Sequence, residues 1–213
     1  MGKSETDQWL ASVYHATDRA TLQQTYDQWA ATYDADLQQV GYLHPPVIIG
    51  LVARFVPRHD ATILDAGVGT GAIGQVLSIL GYNNLSGIDM SNGMLAAAKA
   101  RGCYADLRQA VLGEELPFTD GAFDAIISTG TFTQGHAPAS GFDELARILE
   151  PGGHIMFTVG TMVWEEQGFA AKLAELVARK ILVGVDATPI YRPMPHSPLE
   201  GSLTTKAHVY RKA

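Results

Sequence analysis

Ile63-Leu64-Asp65-Ala66-Gly67-Val68-Gly69-Thr70-Gly71 joins an apolar run to three glycines at alternate positions, and its reading decides the fold. Residues 62–64 read as the end of a buried strand, the glycines as a tight turn, and residues 72–80 as a helix. In that order the three pieces bring backbone N–H groups and a helix N-terminus around a small ligand. At Gly67, Gly69 and Gly71 no Cβ stands between that ligand and the backbone.

Charge narrows the choice of ligand. The run from Gly67 to Ala72 formally meets the glycine pattern of dinucleotide-binding turns, a weak signal alone. Asp65, however, stands two residues before the first glycine, at the tip of the strand. A carboxylate there opposes a pyrophosphate and favours a ligand bearing a cation, such as the ammonium and sulfonium of S-adenosylmethionine. With Asp65 included, the stretch resembles the first motif, D-x-G-x-G-x-G, of the class I S-adenosylmethionine-dependent methyltransferases.

Working outward, residues 85–88 read as a second strand that ends in Asp89. A carboxylate at that tip is placed to accept hydrogen bonds from both ribose hydroxyls. Met90 offers a polarizable face to an adenine ring, and Ser91 is a good helix N-cap. The third strand is expected over 107–112. Many members of the resembled family end it with an acid that bonds the adenine amino group. Here Leu112 stands at that place, which leaves adenine to apolar contact and backbone N–H groups at Leu112 and Gly113.

The fourth strand is expected over 125–128, and the loop 129–136 leaves its carboxyl end beside the glycine turn. In open α/β sheets ligands bind at that point. Thr129 is placed against the methionine part of the cofactor. His136 is the histidine expected near the chemistry, either as a general base or as a loop residue held by hydrogen bonds.

Before the glycine turn lie three expected helices. Residues 4–16 carry Ser4 and Asp7 as a capping box, and residues 18–39 carry the stripe Leu22, Tyr26, Trp29, Tyr33 and Leu37. The stripe suits core packing. Yet Tyr26 to Asp34 also resembles the Y-D-x-W-A-x-x-Y-D segment that many small-molecule methyltransferases use as a lid over the cofactor. The resemblance implies cofactor contacts from Tyr26, Trp29 and Tyr33, the phenol of Tyr33 reaching the cofactor carboxylate. Tyr42 is a candidate for the acceptor side. Pro45 and Pro46 are expected to open a helix that continues to residue 55.

After the fourth strand come a helix over 142–149, the L-x-P-G-G turn at 149–153 and a strand over 155–159. A helix over 168–180, a strand over 181–185, a proline-rich loop over 188–202 and an antiparallel last strand over 207–212 follow. In detail the chain resembles the methyltransferase-like family of the Williams–Beuren syndrome chromosomal region 27 product. The resemblance implies a doubly wound, Rossmann-like, seven-stranded sheet, with residues 1–44 as a helical lid and 45–213 as the S-adenosylmethionine-binding domain.

Bulk properties limit the partners. With 213 residues, 46% apolar and 17% charged, the chain is an ordinary globular sequence. A net charge of −7 argues against nucleic acid. The polar N-terminus and the absence of a long apolar run argue against a membrane, and a single cysteine, Cys103, fits a cytoplasmic protein. Seven histidines at scattered positions show no metal-ligand spacing. The expectation is methyl transfer from S-adenosylmethionine to a small-molecule acceptor, the oligomeric state being open. An NAD-dependent oxidoreductase and a non-catalytic cofactor-binding regulator share the same glycine turn and Asp89.

Overall fold

The computed structural model describes residues 5–14, 16 and 18–213, so the expected Ser4 cap lies outside the described residues. The chain runs α1 (Glu5–Tyr14), α2 (Arg19–Trp29), α3 (Tyr33–Gln39), α4 (His44–Phe55), β1 (Thr62–Ala66), α5 (Ala72–Ile79), β2 (Asn84–Asp89) and α6 (Asn92–Ala100). It continues through β3 (Asp106–Gln109), β4 (Phe123–Phe132), α7 (Gly141–Ile148), β5 (Leu149–Gly160), α8 (Val163–Glu166), α9 (Phe169–Ala178), β6 (Leu182–Ala187) and β7 (Thr205–Lys212). No helix among the described residues is long and apolar enough to cross a membrane.

The strands form one seven-stranded sheet in the order β3-β2-β1-β4-β5-β7-β6. β1 pairs in parallel with β2 on one side and β4 on the other, while β7 runs antiparallel between β5 and β6. The expected doubly wound sheet with an antiparallel last strand is therefore what forms. The order reverses between β1 and β4, and the carboxyl ends of β1, β2 and β4 open there as a crevice.

Alternation along the strands divides the core. Leu64 and Ala66 point with Ile126 and Phe157 into a layer closed by Phe142 and Leu145 of α7 and Phe169 and Leu173 of α9. Ile63 points the other way, with Ile127 and Met156, against Ile48 and Val52 of α4 and Ile73 and Leu77 of α5. Both faces of the central strands are covered, so these strands read as continuous apolar runs. A third cluster, of Leu10, Val13, Leu22, Trp29 and Leu37, holds α1 to α3 together over the crevice, with Val40 and Met194 beside it.

Several elements differ from the sequence expectation. The single helix expected over 18–39 is two, broken at residues 30–32. The cause is Asp36, a buried carboxylate that needs donors. It accepts from Trp29 Nε1 at 2.8 Å and Thr32 Oγ1 at 2.8 Å, gathering groups from both sides of the break, and from Thr6 Oγ1 at 3.2 Å. β4 extends to Phe132, so the first part of the loop expected at 129–136 is strand, because Phe132 pairs with Val159 after an irregular step. β3 stops at Gln109, and the short helix α8 had no signal in the sequence.

Candidate active site

The site is built from the glycine turn upward. Gly67 N and Val68 N both donate to the Ile88 carbonyl at 2.9 Å, which folds the turn back over the end of β2. Gly69 N donates to Asp89 Oδ2 at 2.8 Å. Gly67 and Gly69 have φ of +90° and +52°, a region that costs side chains strain. Their surroundings differ. A Cβ on Gly67 would fall 2.2 Å from Thr131 Cγ2, whereas one on Gly69 meets no atom within 4 Å. That open side of Gly69 belongs to a cavity of about 540 Å³.

Ten of the residues singled out in the sequence line this cavity: Tyr26, Tyr33, Gly67, Gly69, Asp89, Met90, Leu112, Gly113, Thr129 and His136. Asp89 Oδ1 accepts from Ser91 N at 2.9 Å, so two backbone donors occupy part of its carboxylate. A carboxylate has about four lone-pair sites, which leaves room for further donation. Burial raises the Asp89 pKa, and the backbone donors pull against that rise.

Three expected residues stand elsewhere. Trp29 walls a second cavity, and Gly71 caps α5 at its packing against Ala98 and Tyr104. Asp65 is 3% exposed beneath the turn, where Oδ2 accepts from the Tyr104 hydroxyl at 2.9 Å. Burial pushes its carboxyl up to about 7, against the Tyr104 bond and with the help of Asp89. Asp65 Oδ1 and Thr129 Oγ1 are the two buried side-chain polar atoms without a partner among the described residues. Asp65 lies near the carboxyl end of β1, and Thr129 lies within the adjacent β4.

The second cavity, of about 240 Å³, adjoins the first, and Tyr26, Tyr33, Gly130 and His136 line both. Tyr42 lies in its wall, as does His44, which the sequence reading passed over. His136 has both ring nitrogens engaged. Nδ1 lies 2.8 Å from the Gln134 carbonyl, which can only accept, so Nδ1 carries the proton. Nε2 then accepts from the Tyr26 hydroxyl at 2.8 Å. Burial raises the Tyr26 pKa well above its ordinary value and lowers that of His136, so the pair is neutral.

A family profile described as "Methyltransferase domain" matches residues 64–157. Methyltransferase-like protein 27 of Homo sapiens is 34% identical over 173 residues, which cover 78% of this chain and 70% of the relative. The chain belongs to the class I S-adenosylmethionine-dependent methyltransferases. Its cofactor is S-adenosylmethionine, and this decides between the methyltransferase and oxidoreductase readings of the glycine turn. The Bos taurus protein named "Probable tRNA methyltransferase 9B" is 29% identical over 160 residues, 73% of this enzyme and 33% of that protein. A TehB-like methyltransferase structure from Corynebacterium glutamicum shares the enzyme's fold, with a TM-score of 0.62 and 21% identity over 89% of this chain and all of the other.

The remaining parts of the site had weak signals in the sequence. Arg19 of α2 pairs with Glu114, and both line the first cavity. Asp27 of α2 accepts from Ser91 Oγ at 2.6 Å and Gly93 N at 2.8 Å, at the amino end of α6. Tyr104 is visible only in the fold, since nothing near it in sequence belongs to the site.

Proposed function

We propose that this methyltransferase acts on a small molecule held in the 240 Å³ cavity, under a lid formed by the chain before residue 45. The observation that carries the reading is the meeting of the two cavities at Tyr26, Tyr33, Gly130 and His136. A regulator that only binds the cofactor has no use for a second cavity beside it. The cavity lies below the range of about 300–1,000 Å³ that holds drug-sized ligands, which favours a compact acceptor. The net charge of −7 speaks in the same direction against a polyanionic one.

S-adenosylmethionine supplies an activated methyl group on a sulfonium, so alignment and exclusion of water are the main tasks left to the protein. Asp89 is proposed to take the ribose hydroxyls on its free lone pairs, with Gly67 and Gly69 giving close backbone approach. Met90, Leu112 and Gly113 would flank the adenine. Asp65 and Thr129, whose Oδ1 and Oγ1 lack partners, would receive the ammonium, and Tyr33 the carboxylate. Trp29 is proposed to support this site from behind Tyr26 and Tyr33, whose rings it meets at 6.1 and 4.6 Å. Gly71 would hold the turn against α6.

For His136 we propose general-base catalysis through Tyr26. The acceptor's proton passes to the Tyr26 oxygen as the Tyr26 proton moves to His136 Nε2, and the Gln134 carbonyl steadies the imidazolium through Nδ1–H.

Titration with S-adenosylhomocysteine, followed by measurement of its formation from S-adenosylmethionine, tests the reading. A small-molecule fraction of cell extract is expected to support turnover, and purified tRNA to support none. Turnover with tRNA alone would overturn the acceptor class.

A further inference from the structure

The acceptor cavity holds one histidine whose ring is only half engaged. His44 opens α4, is 7% exposed, and meets the Tyr191 hydroxyl through Nδ1 at 2.7 Å. No described group of the protein hydrogen-bonds its Nε2. His44 lines this cavity, and its Cδ2, the ring atom beside Nε2, lies near Gly130, which lines both cavities: a Cβ built on Gly130 would lie 3.9 Å from it. Burial lowers the His44 pKa to about 3, so the ring is neutral.

The rest of the wall is consistent in charge. Among the described residues no lysine or arginine lines the cavity. The one acid among the described lining residues, Glu200, is engaged within the protein and adds to burial in raising the pKa of the neighbouring Tyr14. An anionic acceptor would lose its hydration there without a counter-charge. Aromatic rings of Tyr14, Trp29, Tyr33, Tyr42 and Phe132 supply flat apolar surface.

We infer that His44 is the specificity-determining residue of the acceptor site, its Nε2 accepting a hydrogen bond from the O–H or N–H of an uncharged, planar acceptor. This rests on the proposed small-molecule methyltransferase reading. With the proton on Nδ1, donated to the Tyr191 oxygen, the Nε2 lone pair is left for the acceptor. The same arrangement discriminates against the acceptor's carboxylate analogue, which has no proton to give and no cation to meet.

The test uses the full chain saturated with S-adenosylhomocysteine and two probes of one shape, 2-naphthol and 2-naphthoate. Titration followed by ¹⁵N-histidine NMR is expected to show 2-naphthol moving the His44 Nε2 resonance and 2-naphthoate leaving it in place. His44→Phe keeps a flat ring, and it should weaken 2-naphthol binding about tenfold while leaving S-adenosylhomocysteine affinity unchanged. His44→Gln, whose amide reaches the position of Nε2, should recover most of that loss. Tyr191→Phe provides a second variant that leaves His44 in place and should weaken 2-naphthol by a smaller factor. Equal binding of the two probes, failure of 2-naphthol to bind the loaded protein, or unchanged 2-naphthol affinity in folded His44→Phe would overturn the inference. Failure of S-adenosylhomocysteine itself to bind would instead overturn the cofactor reading beneath it.

Discussion

The Thr70 hydroxyl donates to Asp34 Oδ1 at 2.6 Å, so a residue of α3 is bonded to the residue between the second and third glycines of the turn. Arg101 reinforces the link, donating from Nε to the Thr70 carbonyl at 2.5 Å and pairing with the Asp34 carboxylate. The Asp34 side chain is half exposed, which screens the ion pair. Asp34→Ala is expected to cost closure of the lid about 1–2 kcal/mol. Amide exchange across residues 19–39 should speed up in the variant, and β1 should stay protected. Exchange that is unchanged, with and without S-adenosylhomocysteine, would mean that the helices close independently of this bond.

Asp89 carries the clearest binding prediction. Its replacement by alanine removes two charge-assisted acceptor positions, each worth roughly 1.5–3 kcal/mol. Cofactor affinity should fall at least about tenfold, and the melting temperature should fall too, because Gly69 N and Ser91 N lose their acceptor. Calorimetric titration that finds wild-type affinity would take the ribose contact away from Asp89.

For the proton relay, His136→Ala should lower turnover by roughly 10²–10⁴ and leave S-adenosylhomocysteine affinity nearly intact. Tyr26→Phe should produce a loss of the same order, because the proposed route passes through its hydroxyl. If Tyr26→Phe is fully active while His136→Ala is not, the base reaches the acceptor directly.

Asp65 gives a prediction in pH. Its folded pKa of about 7 lies above the usual carboxylate value of 3.8, so between these values the folded state holds more protons than the unfolded. The stabilising contribution of a protonated Asp65 is complete below 3.8 and is lost as pH rises through 7. Buried His44 and His208, lowered to about 3 and about 4, act in the opposite direction. The measurable quantity is therefore the difference between wild type and Asp65→Asn, which should shift toward the variant as pH rises from 4 to 7. If an ammonium binds Asp65, S-adenosylhomocysteine binding at pH 6 should release a proton, seen as a dependence of binding heat on buffer ionisation.

Much of this architecture was legible because local chemistry determined it. The glycine turn needs positive φ at Gly67 and Gly69, and Asp89 ends a strand whose register on β1 follows from the turn itself. The break at residues 30–32 was not legible, because Asp36 is an ordinary polar residue in the sequence and becomes a three-donor acceptor only when buried. His44 was passed over for a similar reason. Its partner, Tyr191, lies in the proline-rich segment far along the chain, and only the fold brings the two rings to 5.6 Å. The Asp65–Tyr104 contact likewise depends on how α5 and α6 pack, which no periodicity encodes.

The first three helices wall both cavities, with Arg19 and Leu22 facing one and Leu10, Val13 and Leu37 facing the other. On the proposed reading, donor and acceptor therefore share a single door. Spent cofactor and methylated product would then leave on the same opening, the exit of one timed to the exit of the other. Acceptors of very different intrinsic reactivity would then meet a common ceiling on turnover, set by the hinge and not by the nucleophile.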